Sequence, residues 1–234
     1  RAADRIQAIS QFLAQWSKDK GAKCPITVVP NGVDLKLFTR DVSLEEISRI
    51  KILLNKKEGD TFLVTTSRLV PKNGVADIID SFKYLPASVH AVIIGTGPLE
   101  SELKERALNN GVAERVRFLG FIDHKEMLPY LKASDIFIRP SLSEGLGNSF
   151  LEAMAASVPV IATPVGGIPD FLTDGQTGLF CEPNNPQSIA RKVEKFLKDA
   201  ESLEYIVKNA KKMVEERYEW GRIAGEMKEV FVRG

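Results

Sequence analysis

Cysteine, histidine and tryptophan are scarce in this 234-residue chain, at two of each. Cys24 and Cys181 have no metal-ligand spacing and are too few for a disulfide framework. With only His90 and His124, a histidine-built metal centre is not expected. No apolar run approaches the roughly 18 residues that a membrane-spanning helix needs, and no signal-peptide pattern is visible. A charge excess is missing too. Lys and Arg number 32 against 31 Asp and Glu, a formal net charge of +1 that gives no electrostatic case for nucleic acid as a partner. Internal repeats and low-complexity segments are absent. The first residue is Arg1 rather than Met, so the chain is read as part of a longer protein.

What is present suits a soluble α/β protein. A hydrophobic content of 44% suffices for a full core, and 234 residues fit one large domain or one domain plus a piece of another. Short apolar runs alternate with amphipathic segments. The expected strands are CPITVVP (24–30), TFLVTTS (61–67), SVHAVIIG (88–95), RVRFLG (115–120), DIFIRPS (135–141), PVIATPV (159–165) and TGLFCEP (177–183). Several are apolar throughout, as strands covered on both faces are. Between them lie helical patterns at 43–54, 75–85, 99–110 and 123–134, and a long basic helical tail runs from about 187 to 232. Ser43 with Glu46 and Asp123 with Glu126 have capping-box spacing, and Asn185–Pro186 is a cap followed by a first-turn proline. Strict alternation predicts a doubly wound, Rossmann-like parallel sheet. NGVDLKLFTRD (31–41) is the loosest stretch, and a domain boundary is expected near 35–42.

Ligands of such sheets sit beyond the carboxyl ends of the strands. The loop after the fifth strand reads SLSEGLGNSFLEAMAAS (141–157), with Glu144 and Glu152 flanking a glycine loop that opens a helix. Gly145 and Gly147 permit close backbone approach. The stretch Leu146, Gly147, Asn148, Ser149 leads into a helix start that attracts an anion. A carboxylate can accept two vicinal hydroxyls. The alternative is structural: Ser149 and Glu152 form a capping box, and Glu144 is a solvated loop charge. After the second strand, Arg68 and Lys72 emerge together in TTSRLVPKNG (65–74) and can hold a diphosphate, unless they are plain surface cations. GTGPLE (95–100) breaks the dinucleotide fingerprint and disfavours a nicotinamide dehydrogenase. It is either a structural turn or one that brings Gly97 near a ligand. LGFID (119–123) offers backbone to a planar base, VGGIPD (165–170) reads as a tight turn into a helix, His90 as structural and His124 as solvent-exposed.

Together, PNGVD (30–34), SRLVPKNG (67–74), IIGTGPLE (93–100), LGFID (119–123), SEGLGNSFLEAMAASVPVIATPVGGIPDFL (143–172) and TGLF (177–180) resemble the retaining GT-B glycosyltransferases of family 4. The two glutamates with the EAMA continuation carry most of that specificity. The resemblance implies a nucleoside-diphosphate sugar as donor, with transfer of the glycosyl group to an acceptor hydroxyl with retained configuration and no metal cofactor. Glu144 is then expected on the donor-sugar hydroxyls and Glu152 on the ribose. The amides of Leu146 to Ser149 are expected on the diphosphate, with Arg68 and Lys72 opposite, and Gly120 and Phe121 near the base.

There is one departure: the family places lysine directly before the glycine, where this chain has Asn73, with Lys72 one residue earlier. The resemblance also implies that 1–37 is the last strand–helix–strand of an acceptor-side domain and that 38–234 is the donor-binding domain with its closing helices. Trp220 in that tail is either an anchor between domains or a core residue. The acceptor, a sugar, glycan or lipid-linked molecule, would sit mostly on the missing domain. So would any peripheral contact with the cytoplasmic face of a membrane; the enzyme itself is expected in the cytoplasm, and this half alone is expected to be inactive. A non-catalytic binding or assembly module and a sugar-nucleotide epimerase of the same architecture are the rival readings.

Overall fold

The computed structural model describes residues 3–232. The chain opens with β1 (Ile6–Ala8), α1 (Gln11–Asp19) and β2 (Ile26–Val28), whose strands pair in parallel as a small sheet of their own. A connector carries α2 (Leu35–Phe38) and leads into α3 (Leu44–Leu53). The main sheet follows: β3 (Thr61–Thr66), α4 (Val75–Ser81), β4 (Val89–Ile94), α5 (Glu100–Asn109), β5 (Val116–Gly120) and α6 (Met127–Ala133). It is completed by β6 (Ile136–Arg139), α7 (Asn148–Ala155), β7 (Val160–Ala162) and β8 (Leu179–Phe180). Three helices close the chain: α8 (Pro186–Lys198), α9 (Ala200–Arg217) and α10 (Trp220–Val232).

All six main strands run parallel in the order β5-β4-β3-β6-β7-β8, as the doubly wound expectation required. The strand interiors are largely apolar because each face meets its own core. Phe62, Val64, Val92, Ile94, Phe137, Val160 and Ala162 point into one, with α3, α6 and α7. Leu63, Ala91, Ile93, Ile136, Ile138 and Ile161 point into the other, against α4, α5 and α8. Successive strand residues face opposite sides, so two packed faces demand an unbroken apolar run.

Local signals are realised with some corrections. Ser43 accepts from the Glu46 amide, but the Glu46 carboxylate turns to Arg40 at 2.9 Å, so the box is half formed. Asn185 caps α8 with Pro186 in its first turn, as expected. Pro129 lies in the first turn of α6, where its missing N–H costs nothing. The stretch read as loosest contains α2, capped by Asp34, and its Phe38 is fully buried. The single helical tail is instead three helices: Asp199 both ends α8 and caps α9, and the chain breaks again at Tyr218.

The end of the chain returns to the connector. Val33 donates its amide to the Tyr218 carbonyl at 2.7 Å, and Trp220 donates to the Val33 carbonyl at 3.1 Å. Helix α10 packs through Ile223 and Val230 on Val29 at the end of β2. Trp220 is 56% exposed, which removes the core reading of that side chain.

Candidate functional site

The order of the main sheet creates a crevice. The chain moves outward from β3 through β4 to β5, then crosses back to β6 on the other side of β3. The loops after β3 and β6 therefore diverge, and such a switch point is where doubly wound sheets bind ligands. A cavity of about 400 Å³ lies there. One wall is the loop after β3, with Ser67, Arg68, Lys72 and Asn73; the other is the loop after β6, with Glu144 to Ser149. Ile9 and Asn31 reach in from the first sheet and the connector, and Asn31 Nδ2 donates to Asn148 Oδ1 at 3.3 Å.

Arg68 and Lys72 have no ion-pair partner among the described residues. Pro71–Asn73 forms a 3₁₀ turn, in which successive side chains diverge by about 120°. Asn73 turns inward, buried, and donates to the Arg68 carbonyl at 2.7 Å, while Lys72 is exposed and lines the cavity. The displaced lysine of the sequence thus stays on the cavity wall.

Helix α7 begins at Asn148, with Gly147 before it at φ +96°, a conformation that favours glycine. The Asn148 and Ser149 amides lie in the first turn, where N–H groups lack intrahelical acceptors and the dipole is positive. Ser149 is inside the helix and no side chain caps it, so the Ser149–Glu152 capping box does not form.

Glu144 is held firmly. Its Oε2 accepts from Arg139 Nη2 at 2.6 Å and its Oε1 from the Gly145 amide at 3.0 Å. The VGGIPD turn presses on its backbone: Gly167 donates to the Glu144 carbonyl at 3.1 Å, and a Cβ on Gly166 would lie 1.8 Å from that oxygen. Arg139 itself ends a buried strand, 6% exposed. Burial pushes its guanidinium down from the usual arginine value, while the nearby charges of Glu144 and then Glu152 pull it back up. It remains a cation.

A second, smaller cavity of about 210 Å³ adjoins the first, sharing Ser67 and Arg68 and lined by Gly95, Thr96, Phe121 and Ile122. Phe121 is 76% exposed at its mouth. Gly120 shapes this loop through a positive φ and accepts from the Gly95 amide, but lines neither cavity. Gly97 lines neither as well. It packs against the Leu69 backbone, where a Cβ would come within 2.4 Å of the carbonyl, so it serves the turn. Glu152 also lines neither cavity, and its Oε1 is 3.0 Å from His124 Nε2. His124 is exposed as expected, though its ring edge meets Phe38 at 5.0 Å.

Sequence reasoning overlooked Arg139, Asn31 and the His124–Glu152 contact. Only the first had a signal: a lone arginine inside an apolar strand, since charged residues are almost never fully buried unless paired.

The matches to known proteins agree with this geometry. Residues 46–213 match the family described as Glycosyl transferases group 1. The chain belongs to that family. A glycosyltransferase of Methanocaldococcus jannaschii is 32% identical over 208 residues, covering 88% of this chain and 53% of that protein. The GDP-mannose-dependent monoacylated alpha-(1-6)-phosphatidylinositol monomannoside mannosyltransferase of Corynebacterium glutamicum is 32% identical over 207 residues, covering 84% and 53%. This group 1 chain therefore spans about half the length of those relatives. Among solved structures, Anabaena Alr3699/HepE in complex with UDP-glucose superposes with a TM-score of 0.93 at 25% identity, over 100% of this chain and 65% of that one. The fold is one Rossmann-like half of a GT-B glycosyltransferase together with the β1–α1–β2 unit.

Proposed function

We propose that this chain binds a nucleoside-diphosphate sugar across the two adjoining cavities and is the donor-binding part of a glycosyltransferase. The observation that carries the reading is the pair of cations without an ion-pair partner among the described residues, Arg68 and Lys72, which line the same cavity as the first turn of α7 at the switch point. Two cations and a helix N-terminus converging on one space suit a diphosphate. The diphosphate would lie between them, the base beside Phe121 in the smaller cavity, the ribose toward Glu152 and the sugar against Glu144.

In this reading the chemistry is leaving-group stabilisation. Negative charge grows on the departing nucleoside diphosphate as the bond to the sugar anomeric carbon breaks. Arg68, Lys72 and the α7 amides are arranged to stabilise that charge without reorganising. The sugar centre, with oxocarbenium character, receives the acceptor oxygen with retained configuration, and the hydroxyl proton passes to the departing diphosphate. Glu144 orients the sugar by accepting its hydroxyls. The acceptor, and any contact with the cytoplasmic face of a membrane, belong to a further domain of a cytoplasmic enzyme. This part alone does not turn over.

Titration of the chain with UDP, GDP and ADP, followed by NMR, tests the reading. Binding of at least one, weakened about tenfold by Glu152→Ala, is expected, the loss corresponding to two ribose hydrogen bonds. Absence of binding to all three at millimolar concentration would remove it.

A further inference from the structure

We propose that Arg139 is a positioning residue of the candidate donor site, whose guanidinium sets the Glu144 carboxylate and the Ser149 hydroxyl against the cavity. The proposal rests on reading that cavity as a sugar-nucleotide site.

Three elements converge on this one side chain. Nη2 donates to Glu144 Oε2 at 2.6 Å, from the loop after β6. Nη1 donates to Ser149 Oγ at 2.7 Å, from the first turn of α7, and to the Thr66 carbonyl at 3.3 Å, at the end of β3. The guanidinium carbon lies over the Phe150 ring, 4.3 Å from its centre. Nε has no acceptor among the described residues, so all its polar cohesion runs through the two terminal nitrogens. The guanidinium presents its two terminal nitrogens to Glu144 and Ser149 as a fixed planar fork, a geometry that the single point donor of a lysine ammonium does not reproduce. The neighbouring loop leaves room for both partners: a Cβ on Gly147 would lie 2.5 Å from the Phe150 ring and 3.1 Å from Nη2.

The fold does not require this cation. Ile136, Phe137 and Ile138, the rest of the strand, are apolar and buried, and an apolar residue at 139 would avoid burying a charge. What the cation changes is the cavity. Each Glu144 oxygen has one protein donor, which leaves a lone pair on each for an outside hydroxyl. The carboxylate is thus immobilised without being saturated. Arg139 also offsets the Glu144 charge, which otherwise stands beside the place assigned to a diphosphate.

The test is a set of variants titrated with UDP and UDP-glucose, and with GDP and GDP-mannose, by calorimetry or NMR. Arg139→Met leaves Glu144 as an uncompensated anion, and the nucleoside diphosphate should bind about tenfold more weakly. Adding Glu144→Gln removes that anion. The double variant should recover nucleoside-diphosphate affinity to within about threefold of the wild type, and show no preference for the sugar nucleotide. Arg139→Lys keeps the charge and loses the fork; it should bind the nucleoside diphosphate normally with a reduced sugar preference. A merely structural arginine would not separate these two affinities. If Arg139→Met fails to fold, the double variant, free of unpaired charge, and the lysine variant decide. Wild-type sugar preference in either would overturn the role. So would a folded double variant that recovers no nucleoside-diphosphate affinity. A wild-type chain that binds none of the four probes overturns the reading of the site and this role with it, a pattern distinct from both.

Discussion

Both ends of the main sheet carry charged side chains, and they use them in opposite ways. At the amino end, Lys56 Nζ meets Asp135 Oδ2 at 2.5 Å and the Ala133 carbonyl at 3.0 Å, and the same carboxylate oxygen takes the Phe62 amide. Arg115 spends its guanidinium on the carbonyls of Phe82, Leu85, Pro86 and Val89. His90 lies between Arg117 at 3.2 Å and Asp60 at 3.5 Å. Every one of these groups is answered by protein. At the carboxyl end, Arg68 and Lys72 face a cavity without a counterion among the described residues, and Glu144 keeps lone pairs in reserve. Charge near a strand end is common to both; what distinguishes the carboxyl end is that two cations beside the switch point are left unanswered among the described residues.

The contrast can be broken from either side. The largest effect is expected from Arg68→Ala in the full-length enzyme, where transfer should fall by about 10²–10³-fold, as when one preorganised charge-stabilising donor is removed. Arg68 is exposed, so the melting temperature should hold; a parallel loss of both would mean that the carboxyl end is structural too. Next comes Asp135→Ala at the other end, expected to cost about 2 kcal/mol of stability by stranding Lys56 and the Phe62 amide. Nucleotide titration of this variant should match the wild type. A change in affinity would show that the two ends are coupled.

The smallest effect is a pH dependence confined to the amino end. Burial holds the His90 imidazole below its ordinary value of 6.5, and the charges of Arg117 and Arg115 add to this against the pull of Asp60. The unfolded chain therefore takes up a proton before the folded one does. The contribution is complete above 6.5 and is lost as pH falls below that value toward the folded one. Asp60, lowered chiefly by the Lys57 amide, acts in the same direction further down, below its ordinary 3.8. Between pH 7 and 5 the melting temperature should drop more in the wild type than in His90→Asn, by about 2 °C. An identical slope in both would place the titration elsewhere.

The sheet was legible because pattern and length carry strand identity locally, and short β-branched and apolar runs such as TFLVTT suit a strand buried on both faces. Glu144, Arg68 and Lys72 were legible because loops at carboxyl ends are where side chains face ligands. Arg139 was not, since its meaning depends on β6 lying beside β3, a pairing across more than 70 residues. Gly97 and Gly120 illustrate the converse. Their glycine chemistry is evident in the sequence, but whether freed space serves a ligand or a neighbouring backbone is decided only by the packed loops.

The short parallel bridge at Val33 and Glu219 has a mechanical consequence. The chain passes between its small and large sheets twice, outward through the connector and back through Tyr218, and both passages are tied at that one spot. Helix α10 packs on Val29 beside the small sheet, and at the other side of that sheet the Gln11 amide donates to Asp170 Oδ2 at 2.7 Å, so the small unit is moored to the large one at two separate places. Ile9 and Asn31 belong to the moored unit, so the part of the cavity wall that they form is held from both sides.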